Sequence, residues 1–218
     1  AQLSCHDDGW EDFQGDNPYV AQGSRFIFGY GALFSGMIPI FMAGEEFNAV
    51  YRPLPRLSPN LFGGANPGKG TWLYGGWLQW DALDQPEHRA MLEDVKKLIA
   101  IRLQESDILA AVPNYHEKNM RRVQSESDQP CPAPYMRWNQ QQAILVIGNL
   151  SAHEDLSLRI RVPLADVGLE GHAQYRVTDL WTGDMCLVAE SQLVDYSVTV
   201  LRDKTPGGGI GLLKIEPA

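Results

Sequence analysis

The chain has 218 residues, 44% of them hydrophobic, enough for one large domain or two small ones, each with a buried core. A net charge of -9 and a pI near 5.0, with Lys and Arg scattered along the chain, argue against a phosphate-binding face, so no nucleic-acid partner is expected. Cys5, Cys131 and Cys186 are an odd set without metal-ligand spacing and read as ordinary thiols, with neither a complete disulfide framework nor a zinc site.

Taken in order, residues 2–5 read as a short strand, followed by a polar loop through Asn17-Pro18, an apolar helix over 21–35 and a strand over 37–43. That is one βαβ unit of a parallel sheet. No initiator Met and no signal peptide opens it, and Leu3-Ser4-Cys5-His6-Asp7 reads as a strand end already under way, so the true N-terminus is expected elsewhere. The apolar run over 26–43 is broken by Gly29, Gly31, Ser35, Gly36 and Pro39, which suits a soluble barrel core rather than a membrane span, and the localisation reading leans to the cytoplasm. The unbroken stretch Ile38-Pro39-Ile40-Phe41-Met42 predicts a strand covered on both faces.

Residues 51–83 turn to Pro, Gly, Asn and aromatics, with Trp72, Tyr74, Trp77 and Trp80 among them, and predict a long functional loop. Asp84 with Pro86 and Glu87 marks a helix start, and Met91, Val95, Leu98, Ile99 and Arg102 recur at helical spacing, predicting a helix over 87–104 whose apolar side chains are core. Beyond a polar, proline-bearing stretch at 124–134 come short β-rich runs at 135–138, 143–149, 156–162, 175–180, 197–201 and 210–215. Leu156, Leu158, Ile160 and Val162 alternate with Ser157, Arg159 and Arg161, the pattern of a sheet with one wet face, so 134–218 is expected to be an antiparallel β-sandwich.

The densest polar group is His6-Asp7-Asp8-Gly9-Trp10, directly after a strand, where α/β sheets build their sites; Glu45-Glu46 follows the next strand and faces the same rim. Read alone, His6-Asp7-Asp8 is better taken as a polar turn capping the strand, and Asp8 either caps the turn at Gly9 or pairs with a base such as Arg25. One His with adjacent carboxylates fixes no metal geometry, and no metal or other cofactor is expected. Of Trp10, Trp72, Tyr74 and Trp77, each taken singly reads as an anchor of its loop more than as a platform for a ligand ring, and Trp10 does so least.

In order, these features resemble the end of the α-amylase superfamily of glycoside hydrolases. His6-Asp7 is similar to the pair that ends the seventh barrel strand, Gly36 to Pro39 and Gly44-Glu45-Glu46 to the eighth strand and its end, and Leu78-Gln79-Trp80-Asp81 to the segment before the eighth helix. Leu98-Ile99-Ala100-Ile101-Arg102 looks like that helix, and Asp179-Leu180-Trp181-Thr182-Gly183 like a turn of the closing sandwich. Five motifs in the right order are hard to obtain by chance, although each alone is weak.

The resemblance implies that 1–127 is the C-terminal part of a (β/α)8 barrel, with strands seven and eight, the eighth helix and the long loop 51–83, and that 134–218 is the sandwich. It implies a retaining hydrolase or transglycosylase acting on α-glucosidic bonds of starch-like glucans, with Asp7 as the carboxylate that stabilises the oxocarbenium-like transition state and His6 and Trp10 as substrate contacts. The nucleophile and general acid of such an enzyme come from the fourth and fifth strands, so the partner the chain needs is the missing N-terminal part of its barrel, and the chain alone is expected to be inactive. Cys5 departs from the family, which commonly has Asn before the His; a thiol cannot replace the amide's paired hydrogen bonds, and the alternative is a non-catalytic, amylase-like binding or scaffolding protein.

Overall fold

A computed structural model describes residues 25–36, 39–41, 43–49, 51–53, 76–78, 80–109 and 119–218. His6, Asp7 and Trp10, together with Asp8, Trp72 and Tyr74, lie outside the described residues. Among the described residues no helix is long and apolar enough to cross a membrane.

The helix predicted over 21–35 is present where it is described, but its winding differs: Ile27–Leu33 is a π-helix, closed by Phe34 N–H donating to Gly29 O at 3.1 Å. It is packed hard against the sandwich, since a Cβ on Gly29 would come within 2.4 Å of Ile210 Cδ1. Only Gly allows that approach. Of the strand expected over 37–43, the described residues show a single bridge at Ile40. Ile40 and Phe41 are 59% and 38% exposed. Phe41 meets Phe28 of the π-helix edge to face, with ring centroids 5.3 Å apart, but this contact does not cover the stretch on both faces.

The long loop is drawn together at its ends by an antiparallel pair, β1 (Tyr51–Pro53) with β2 (Gly76–Leu78). A 3-10 turn at Trp80–Asp84 leads into α1, Pro86–Gln104, one residue from the predicted start. Pro at the first helical position has no N–H to leave unsatisfied, and Glu87 in the first turn and Arg102 in the last complement the helix dipole. Met91, Val95, Leu98 and Ile101 form its buried stripe. A short helix α2, Ser106–Leu109, follows.

The remaining strands are β3 (Met120–Arg122), β4 (Gln124–Glu126), β5 (Tyr135–Trp138), β6 (Ala143–Gly148), β7 (Leu156–Arg161), β8 (Gln174–Asp179), β9 (Met185–Ala189), β10 (Tyr196–Val200) and β11 (Ile210–Pro217). They form a sheet ordered β3-β5-β6-β11-β8-β9 and a smaller one ordered β10-β7-β4, every pairing antiparallel. Among the described residues the sheets are already under way at Met120, ahead of the 134 expected: β3 and β4 are one stretch of chain that passes from one sheet to the other at buried Val123.

Two cores result. Leu145, Ile147, Leu156, Leu158, Ile160, Val177 and Ile215 pack between the sheets. The second lies on the opposite face of the larger sheet, where Tyr135, Ile144, Val146, Ile210 and Leu212 meet Phe28, Leu33, Phe34, Met91, Val95 and Leu98 of the helical layer. The larger sheet is thus covered on both sides, which explains why β6 is buried at all six positions.

Candidate functional site

The site-bearing segment of which the structure gives side chains is the turn over 43–49, the place where the sequence pattern puts the end of a barrel strand. Gly44 has φ +100°, and a Cβ there would lie 2.4 Å from Leu78 Cδ1, so both backbone and space require glycine. Its carbonyl accepts from Phe47 N at 3.2 Å and Ala49 N at 2.9 Å, and its N–H donates to Glu46 Oε2 at 2.6 Å. Glu46 is thereby folded back onto its own turn, whereas Glu45 is fully buried. Among the described residues no cluster of three or more His, Cys, Asp or Glu side chains is arranged to hold a metal ion.

Two contacts fix this turn to the helical layer. His88 Nδ1, on the first turns of α1, lies 2.6 Å from Phe47 O, and Phe47 is buried with Ala49 and Ala82 against Leu78, Leu83 and Leu92. The ring of Phe47 in turn stacks on Trp80, with centroids 5.7 Å apart and planes at 29°, while Trp80 itself is 63% exposed. Asn48 has φ +56°, tolerated by Asn better than by most residues, and its Oδ1 is buried without a hydrogen-bond partner.

Arg25 pairs with Asp94, its Nε 2.5 Å from Oδ2. The guanidinium also donates to Asp203 O at 3.0 Å, and Gly207 N donates to the same Asp94 oxygen at 3.0 Å. Arg25 is thus engaged in joining the helical layer to the sandwich. The Asp179-Leu180-Trp181-Thr182-Gly183 motif is indeed a turn of the sandwich. Asp179 Oδ1 accepts from Trp181 N at 2.7 Å, Trp181 Nε1 donates to Ile210 O at 2.8 Å, and Lys97 of α1 donates to Trp181 O while lying over its ring.

Two clefts of about 410 and 570 Å³ open elsewhere, around β4 and β7 of the sandwich. Their lining includes the exposed ion pairs Arg121 with Asp166 and Arg159 with Asp195, as on an ordinary wet sheet face.

Comparison with known proteins agrees with this architecture. A family model described as the α-galactosidase C-terminal β-sandwich domain matches residues 137–205. No curated protein sequence matches the chain at a significant level. Among solved structures, AmyP in complex with maltose superposes with a TM-score of 0.59 at 12% identity, over 98% of this chain and 40% of its own. The α-amylase of Geobacillus thermoleovorans complexed with acarbose gives 0.53 at 17% identity, over 99% of this chain and 38% of its own. The chain thus spans about two fifths of the length of the amylases it matches. The fold is thus that of the C-terminal part of the α-amylases on which the chain superposes, a helical layer packed on an antiparallel β-sandwich.

Proposed function

We propose that the chain is the C-terminal portion of a retaining glycoside hydrolase or transglycosylase acting on α-glucosidic bonds of starch-like glucans. The observation that carries this reading is the match of 98% of the chain to two fifths of an amylase, with the Gly44-Glu45-Glu46 turn fixed by its backbone directly before the long loop. Asp7 would stabilise the positive charge that develops at the anomeric carbon, through hydrogen bonds to sugar hydroxyls that tighten in the transition state. His6 would donate to a neighbouring hydroxyl, and Trp10 would pack against a ring. The maltose and acarbose held by the matched amylases are in keeping with an oligosaccharide substrate.

A retaining mechanism needs a nucleophilic carboxylate and a protonated acid about 5 Å apart across the scissile bond. The family supplies these from strands four and five, so residues 1–218 by themselves release no reducing sugar from soluble starch or maltoheptaose. With the upstream barrel strands joined to the chain, hydrolysis or transfer is expected, and Asp7→Asn should lower kcat by about a hundredfold or more with little change in folding. Turnover by 1–218 alone, or full turnover by the Asp7→Asn enzyme, overturns the assignment. A joined chain that binds maltoheptaose without turnover is the behaviour of a non-catalytic relative.

A further inference from the structure

We infer that Trp80 is a stacking platform for a saccharide ring on the rim of the barrel, an inference that rests on the glycosidase reading above. Its exposure is unusual for an indole that is otherwise so firmly held. Phe47, 1% exposed, lies against one face with centroids 5.7 Å apart. With that face covered, an exposure of 63% leaves the opposite face and edge open to solvent. The backing residue is itself fixed, through the His88 contact to its carbonyl and the small core of Ala49, Ala82, Leu78, Leu83 and Leu92. A ligand ring that stacked here would meet a surface whose orientation is already set, and little ordering entropy would oppose it.

Topology places this face where substrates bind. In a β/α barrel the loops after the strands and the starts of the following helices lie on the same rim. Trp80 is the first residue of the 3-10 turn that leads into α1, and the turn it touches, through Phe47, is the one the motifs put at the end of the eighth strand. The indole is apolar on its face, the complement of the C–H face of a pyranose. Asp81, next in the chain, is exposed and carries a carboxylate able to accept from sugar hydroxyls. The chemistry is that of a neutral sugar: a flat apolar face, an acceptor at the rim, and no basic group among Trp80–Asp84 to favour an anion.

The test is calorimetric titration of the chain 1–218 with maltoheptaose and, separately, cellohexaose, on the wild type and on Trp80→Ala and Trp80→Phe. Maltoheptaose is expected to bind, with an affinity about tenfold or more lower in Trp80→Ala, as for a central Trp contact. Trp80→Phe keeps the packing on Phe47 with a smaller face, and an intermediate affinity with an unchanged melting temperature separates loss of the platform from loss of folding. Trp80-dependent binding of cellohexaose but not maltoheptaose supports the platform and sinks the α-glucan reading. Equal affinity in all three proteins, or binding of neither sugar by the wild type, overturns the platform.

Discussion

Arg137 is fully buried on β5, yet among the described residues no carboxylate is a hydrogen-bond partner of its guanidinium. Nε donates to Asn119 O at 2.9 Å, Nη1 to Phe34 O at 3.1 Å, and Nη2 to Leu109 O at 2.8 Å and Asn119 Oδ1 at 3.0 Å. Phe34 and Leu109 end the π-helix and α2, so the cation sits where backbone dipoles are negative and carbonyls lack partners. Burial lowers its pKa from the usual arginine value, from a height that still leaves it charged near neutrality. Arg137→Met would leave these acceptors buried and unpaired, and is expected to cost about 3 kcal/mol or more in urea unfolding. Arg137→Lys should recover only a minor part, because one ammonium cannot reach acceptors on three sides. A loss under about 0.5 kcal/mol for the Met variant, the range of an ordinary surface change, would sink this account. In the sequence Tyr135-Met136-Arg137-Trp138 reads as a strand, but nothing there shows that Arg137 faces helix ends instead of water. Gly44 is the opposite case, a motif residue whose need for glycine the backbone confirms.

Among the elements, those with strong periodicity were legible and those at edges were not. Helix α1 and strands β5, β6, β7, β8, β10 and β11 lie within a residue or two of their predicted bounds because burial on one or both faces leaves a pattern. β9 leaves none, since Met185, Cys186 and Leu187 are all exposed on an edge strand; β3 and β4 are three-residue polar strands at sheet edges. The π-winding of Ile27–Leu33 is invisible in seven largely apolar residues, and it is fixed from outside. Arg25 and Asp203 hold its start, Asp203 Oδ1 accepting from Phe26 N at 2.6 Å, while Arg102 and Arg137 donate to Leu33 O and Phe34 O at its end. Asp94 is the hub on α1, bonded both to Arg25 and to Gly207. Because the Arg25 and Asp94 side chains are only 5% and 13% exposed, Asp94→Ala strands a buried cation and should cost about 3 kcal/mol. Hydrogen exchange should then quicken over 25–36 before it does in β6, and added salt should change the loss little. Uniform acceleration across both segments would contradict this division.

For the molecule as a whole, the shared core decides what can stand alone. A βαβ unit cut from its barrel exposes apolar surface, which suggests a remnant that aggregates beside a sandwich that folds by itself, and Ile40 and Phe41 do present apolar surface. Yet the outer face of the larger sheet carries Tyr135, Ile144, Val146, Ile210 and Leu212, all under 3% exposed because Phe28, Leu33, Met91, Val95 and Leu98 cover them. Cutting the chain before Asn119 would uncover that face and remove Phe34 O and Leu109 O from Arg137 at the same time. Five large apolar side chains would then face water, with Arg137 and Lys214 beside Ile144 as the charged groups flanking them, and an apolar face of this size associates. Residues 119–218 expressed alone should therefore bind a hydrophobic dye and sediment as oligomers. Substituting Ile144 and Val146, neighbours on that uncovered face separated by one residue, with Thr and Lys should restore a monomer without disturbing the core between the sheets. The same two substitutions in 1–218 should be severely destabilising, since there the positions face α1 and the π-helix. A monomeric, cooperatively melting 119–218 without any substitution would show that the helical layer is an appendage, and that the two cores are independent.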